Sequence, residues 1–468
     1  SSAASDVYKR QISLVAILYR KLVFRMIRDL TEGRTETVLV KFSLPLFISV
    51  IFQQMYNMAD SMIAGKFSAD GESALAAVGA SYPITMIFMA IAIGSNIGCS
   101  VVISRFFGAK DFRKMKAAIS TVLIASSVLA AVLTVAGLLT SGPLMRLIRT
   151  PAEIFKDGKL YLNIYIAGFL FLFLYNTATA VFQSLGDTNT PLYFLIASSV
   201  GNIVLDWFFV AILHLDVAGV AWATFIAQGT ACIISLVVLL RRLRKIEKDV
   251  KAEKFSFPIL KEVAVIAVPS ILQQSFVSVG NMFIQNLVND GGKSVIAGYS
   301  AAIKLNTFAI TCLTTMSNGL SAFSSQNIGA GKYDRVRKSF AAGIMMSELI
   351  ILPFILIFVF AGKYALLLFM DGESALSMET GIRFLQIVSP FYLVAAAKLV
   401  SDGILRGAGA IRCFMLSTFS DLLIRVLLSY LFYAFWGSTG IWCSWPVGWI
   451  LSAGISLAFY FRRKWITA

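Results

Sequence analysis

The sequence predicts an all-α integral membrane protein: twelve transmembrane helices in two six-helix bundles related by a pseudo-two-fold axis along the membrane normal. Three observations carry that expectation. Of 468 residues 58% are apolar and 14% charged, with a mean hydropathy of +0.78, and a soluble fold could not hide that much apolar surface. Apolar runs of about 20 residues recur along the chain, and a backbone that must satisfy its own hydrogen bonds in hydrocarbon can cross only as helix. The second half of the chain also repeats the first at a spacing of 221 to 224 residues.

Taken in order, the spans fall near 42–65, 79–104, 118–140, 159–183, 191–213, 217–240, 258–286, 295–325, 338–361, 380–403, 411–434 and 437–460. The seventh and eighth are long enough to imply tilt or projection beyond the hydrocarbon. Residues 1–25 follow no clear period and are read as a non-native extension, with Met26 a more natural start. The expected organisation is therefore an N-terminal lobe over 26–240, a basic cytoplasmic linker over 241–257 and a C-terminal lobe over 258–468.

Lys and Arg outnumber Asp and Glu by 41 to 25, yet the spans hold few of them. Taking the N-terminus and every even-numbered loop as one side, that side carries 30 basic residues, Arg406 and Arg412 included, against 8 opposite. Both termini are thus expected in the cytoplasm. Basic clusters between apolar runs read as topology determinants and not as a nucleic-acid surface. One histidine, His214, and five scattered cysteines exclude a bis-His haem and a disulfide framework. Nothing calls for a resident cofactor or metal.

The repeat is visible residue by residue. Pro45 and Asn57 recur as Pro269 and Asn281, each 224 later; Gly108 recurs as Gly329 and Gly219 as Gly440, each 221 later; QSLG at 183–186 aligns with RGAG at 406–409. Six spans is an even number, so the halves are parallel, an arrangement found in transporters.

Ionisable side chains within spans are costly and need a partner, a wet cavity or a function. Asp60 lies in span 1, with Gln53, Gln54, Tyr56 and Asn57 in the two turns before it. Asp206 lies in span 5 with Asn202 one turn earlier, and Thr224 is in span 6. Such oxygen-rich residues could bind a proton or a small hard cation such as Na⁺, or could hydrogen-bond neighbouring helices. In span 11, Asp421 and Arg425 are spaced to neutralise one another. Glu348 and Asp402 stand near enough to span ends to reach headgroups or water, and Lys304 and Lys398 could snorkel or face a cavity. Trp436, Trp442, Trp445 and Trp449 are expected as interfacial anchors. Gln53, Gln54, Tyr56, Asn57, Gln273, Gln274 and Asn281 occupy corresponding stretches of spans 1 and 7, which makes them candidates for a substrate cavity.

Pro45 followed by QQMYNMADSMIAGKF, ALAAVGA (74–80), the SRFFGAKD loop, QSLGDTNTP (183–191), GNIVLD, AGVAWAT (218–224) and DGILRGAG (402–409) together resemble the multidrug and toxic compound extrusion (MATE) family. The resemblance runs from Met26 to the end. It implies an antiporter of the bacterial inner membrane, acting as a monomer, that exports amphipathic, often cationic compounds in exchange for H⁺ or Na⁺ by alternating access. It further implies a coupling site at Asp60, Asn202, Asp206 and Thr224. Other members couple through a Glu in span 7 and an acid in mid-span 10, where this chain has Gln273, Gln274 and Lys398. The rival readings are a flippase or exporter of lipid-linked precursors, for which Lys304 and Lys398 speak, and, more remotely, a membrane enzyme.

Overall fold

The computed structural model describes residues 28–67, 71–148, 150–246, 250–370, 374–463 and 465–466, without the side chains of 58–62 and 64–78. The expected extension 1–25 and part of the linker lie outside the described residues.

The regular elements are helical throughout the described residues. The first six spans are α1 (Thr35–Phe67), α2 (Gly71–Gly108), α3 (Phe112–Leu147), α4 (Ala152–Ser184), α5 (Asn189–Trp207, extended by a π-helical turn, Phe208–Ile212) and α6 (Asp216–Leu243). Then follow α7 (Phe257–Asp290), α8 (Lys293–Gly329), α9 (Tyr333–Phe360) and a short α10 (Gly362–Leu366). The tenth span is broken into α11 (Ala375–Val388) and α12 (Tyr392–Gly407) by a 3-10 turn, Ser389–Phe391, where Pro390 removes a backbone donor. The last two spans are α13 (Ile411–Trp436) and α14 (Ser438–Phe461).

Length beyond the hydrocarbon is general and not confined to the seventh and eighth spans. α7 and α8 have 34 and 37 residues, but α2 has 38 and α3 has 36. At about 1.5 Å per residue such helices outreach a bilayer about 40–45 Å thick with its headgroups. Their polar ends, such as 112–117, carry no apolar signal. Among the described residues, eleven spans are apolar enough to cross on composition alone. The exception is α13, which carries Arg412, Asp421 and Arg425.

Helix pairing repeats between the halves. α1 packs on α5 as α7 does on α13, α2 on α4 as α8 does on α11 and α12, and α4 on α6 as α12 does on α14. Between the lobes, α1 meets α8 and α2 meets α7, while α2 and α8 meet each other. This last crossing shows why the repeat retains glycine. A Cβ on Gly108 would stand 1.9 Å from the Gln326 carbonyl oxygen, and one on Gly329 would stand 2.1 Å from that of Arg105. Gln326 lies 221 residues after Arg105, so the two contacts are images of each other about the pseudo-axis. The turns that follow α4 and α12 are also matched, with Gly186 at φ +77° and Gly409 at φ +84°.

The expected tryptophan anchors are corrected by the fold. Trp442, Trp445 and Trp449 are buried, packed with Tyr299, Phe384 and Tyr392 in the core of the C-terminal lobe, and Trp436 alone is exposed. A helix that contacts α11, α12 and α13 presents these positions inward, whatever its depth in the membrane.

Candidate coupling site and inter-lobe cavity

The GNIVLD segment sits on α5 and ends two residues before its π-helical turn. Asn202 donates from Nδ2 to Asp206 Oδ2 at 2.9 Å, and both side chains are buried, Asp206 completely. The one-turn spacing is what makes the bond. On the same three helices, Ile63 of α1, Ile203 of α5, Val210 of the π-helical turn and Val220 of α6 pack into a small apolar cluster. Asp60 stands on α1 three residues before Ile63, and its side chain lies outside the described residues. Thr224 is half-buried on α6, lining a small cavity with Tyr161, Tyr165 and Gln228. Among the described residues no hydrogen bond joins its hydroxyl to Asn202 or Asp206.

The candidate cavity residues share a face. Phe42, Ser43 and Leu46 of α1 surround Gly319 of α8, and Gln53 and Asn57 continue that stripe at helical spacing; both are exposed. On α7, Ala267 and Ile271 press on Gly98 and Gly94 of α2, and Gln274 and Asn281 continue the stripe, half-buried and exposed. The two lobes are thus in contact at one end and parted further along. Gln54 and Tyr56 are half-buried, and Asn57 Nδ2 donates to Gln54 Oε1 at 3.4 Å. Gln273 is half-buried, and its Oε1 has no partner.

The contacting end is the one with the basic loops. Ser325 Oγ donates to the Val101 carbonyl at 2.6 Å, Gln326 Nε2 to the Ser184 carbonyl at 2.6 Å, and Arg105 Nη2 to the Ala408 carbonyl at 3.0 Å. Residues 28–33 lie across the seam. Leu30 is fully buried, its N–H donates to Gln326 Oε1, and its carbonyl accepts from Asn327 Nδ2 and Arg335 Nη2. Asp29 pairs with Lys110 on the other lobe. Sequence reasoning missed this strap, since six polar and apolar residues without a period carry no signal.

Three expectations about intramembrane charge are corrected. Asp402 does not reach water: it is buried, with Oδ2 accepting from Lys398 Nζ at 2.9 Å and Oδ1 from Ser456 Oγ. Lys398 accordingly neither snorkels nor faces a cavity. Asp421 and Arg425 do not pair, because the Arg425 guanidinium lies 4.5 Å from the Trp445 ring centre, leaving Asp421 Oδ1 unbonded and buried. Lys304 is exposed, near the Phe369 ring, and Glu348 is half-buried.

A helical repeat of two lobes that close at one end around a cleft defines a membrane transporter and not an enzyme. Comparison with known proteins agrees. The MatE family model matches residues 45–208 and again 269–431, the same offset as the repeat, and the chain belongs to this family, the multidrug and toxic compound extrusion transporters. It is 28% identical to "Probable multidrug resistance protein YpnP" of Bacillus subtilis, over 93% of this chain and 97% of that one. "Probable multidrug resistance protein YoeA" of the same organism is 27% identical over 91% and 94%. A MOP superfamily transporter from Pyrococcus furiosus superposes with a TM-score of 0.84 at 22% identity, covering 94% of this chain and 98% of that one, a likeness of fold.

Proposed function

We propose that the chain is an antiporter that exports amphipathic compounds by alternating access, driven by H⁺ or Na⁺ bound in the N-terminal lobe at Asp60, Asn202, Asp206 and Thr224. The observation that carries this is the buried Asn202 and Asp206 pair. A fully buried carboxylate is a site where a bound H⁺ or Na⁺ can offset the cost of the charge, and an ion bound there alters the packing of α1, α5 and α6. Through those helices it biases the two arrangements of the lobes, and by reciprocal linkage a bound substrate weakens ion binding by the same factor.

The lobes span 26–240 and 258–468 and together enclose one cleft, so a single chain suffices as the working unit. The excess of basic residues at the closed end supports cytoplasmic termini in a bacterial inner membrane, and hence an outward-open arrangement. Gln53, Gln54, Tyr56, Asn57, Gln273, Gln274 and Asn281 line the substrate path, where carboxamides accept or donate without fixing one ligand geometry. Proteoliposomes with separately imposed Na⁺ and H⁺ gradients test the reading. Dye export driven by neither gradient would overturn it.

A further inference from the structure

Just inside the closed end, both lobes line one cavity of about 170 Å³. Asn96, Ser100, Asn176 and Gln183 come from α2 and α4, and Asn318, Ser321 and Arg406 from α8 and α12. Ser100 and Ser321 are 221 apart and Gln183 and Arg406 are 223 apart, so the cavity sits on the pseudo-axis. Its two halves differ by one charge, the guanidinium of Arg406.

That guanidinium is buried, 4% exposed. Phe414 lies under it at 5.4 Å, and Nη2 donates to Asn318 Oδ1 at 2.7 Å, while Nε has no partner. The carboxylate one turn earlier, Asp402, is taken by Lys398 and Ser456, and among the described residues no acid lies within ion-pair distance of Arg406. Lys398, Asp402, Asp421 and Arg425 sum to zero, which leaves Arg406 as the surplus charge in this part of the lobe. Ser321 Oγ, a hydroxyl able to donate on the same cavity, is also buried without a partner. A desolvated cation with a free Nε–H beside an unfilled hydroxyl and two carboxamides is an arrangement that recognises a planar or tetrahedral oxyanion.

We propose that this cavity is an anion subsite, in which Arg406 binds the carboxylate or phosphate group of an amphipathic substrate, with Asn96, Asn318 and Ser321 positioned to share the remaining oxygens. The apolar part of the substrate then extends up the cleft toward Gln53, Asn57 and Gln274. The inference rests on the cleft being the substrate path but not on ion coupling, so it is tested by equilibrium binding, which needs no gradient.

The full-length protein in neutral detergent is titrated with 1-pyrenebutyrate and with 1-pyrenebutanol, which share shape and differ in charge, read by energy transfer from the tryptophans. The carboxylate is expected to bind at least about tenfold more tightly. Arg406→Gln, which makes the cavity symmetric, should remove that preference while leaving the alcohol within about twofold, and Arg406→Lys should restore part of it. Gln183→Glu, which sets a carboxylate on the same cavity, should abolish the preference with Arg406 intact and keeps the test open if Arg406→Gln does not fold. Equal affinity for the two probes in the wild type, equal loss of both in Arg406→Gln, or an unchanged preference in Gln183→Glu would each overturn the proposal. Displacement of pyrenebutyrate by millimolar sodium phosphate would reassign the cavity to free oxyanions and overturn the amphiphile.

Discussion

The two lobes share a scaffold and diverge where the ion would sit. Offsets of 224 in span 1, 223 in span 5 and 221 in span 6 carry Asp60, Asn202, Asp206 and Thr224 onto Ile284, Arg425, Ser429 and Trp445. In the N-terminal lobe Asn202 holds a buried carboxylate. In the C-terminal lobe the equivalent space is occupied by Arg425 against Trp445, with Ser429 Oγ turned back to the Arg425 carbonyl. A guanidinium packed on an indole excludes a second cation by repulsion and by volume. The difference teaches that duplicated helices need not duplicate a buried charge: one lobe holds an acid and the other a built-in cation.

The largest effect follows directly. Asp206→Asn removes the only ionisable group of its site whose side chain is described, and coupled efflux should fall at least about a hundredfold in proteoliposomes, equivalent to about 2.7 kcal/mol or more. The protein should stay monodisperse, since Asn keeps the shape. Ser429→Ala, its image in the other lobe, should leave efflux within about twofold. Equal losses in the two variants would mean that the lobes share the coupling.

A second experiment sharpens the comparison through stability. Asp402→Asn leaves Lys398 charged and buried without its partner, and breaking such a pair costs about 3–5 kcal/mol. The double variant Lys398→Met with Asp402→Leu should recover most of that loss in thermal unfolding, because the net worth of a buried pair against apolar side chains is near zero. A double variant no more stable than the single one would show that the pair, with Ser456, holds α12 to α14 in a way packing cannot replace.

Much of this was legible in the sequence, and the parts that were not have a common cause. Span positions, the repeat and the grouping of Asn202 with Asp206 depend on spacing along the chain, which the sequence states directly. The failures concern which neighbour a side chain meets. Asp421 and Arg425 have the spacing of a pair, but α14 offers an indole face within reach. Arg406 counted among loop charges because it ends a span, yet α12 turns it into the inter-lobe cavity. Lys398 faced two readings in sequence, and a third, Asp402 one turn on, proved to be its partner.

The crossing of α2 and α8 is where the lobes should behave alike. Gly108→Ala and Gly329→Ala each place a methyl within about 2 Å of a carbonyl oxygen, so both should force the closed end apart. A cysteine at Ser325, buried at the seam, should become reactive to thiol reagents in either variant, against a background lacking the five native cysteines. Ala at Gly201 or Gly454, where an added methyl meets open space, is the control. Opening by one variant alone would break the symmetry of the gate.

The smallest effect separates the strap's two attachments. To the C-terminal lobe it is held by Arg335, which donates to the carbonyls of Leu30, Glu32 and Gly33 and to Asn327 Oδ1. To the N-terminal lobe it is held by Asp29 and Lys110, whose ammonium is half-exposed. Burial works against charge on the Asp29 carboxyl, but hydrogen bonds from Lys110 and Thr31, with the Lys110 charge, hold it below its ordinary value of 3.8. A depressed carboxylate contributes stability that is complete above that ordinary value and is lost as pH falls through the lower folded value. The contribution is therefore constant across pH 5 to 8. Solvent screening limits it to less than about 1 kcal/mol, and added salt should reduce it. Lys110→Gln should accordingly lower the unfolding midpoint slightly, by the same amount at pH 5 and pH 8, whereas Arg335→Gln should lower it several times further at both. A Lys110→Gln effect that matched Arg335→Gln would mean the strap belongs to both lobes equally, and one that appeared only at one end of that pH range would mean that Lys110 acts through a group other than the Asp29 carboxylate.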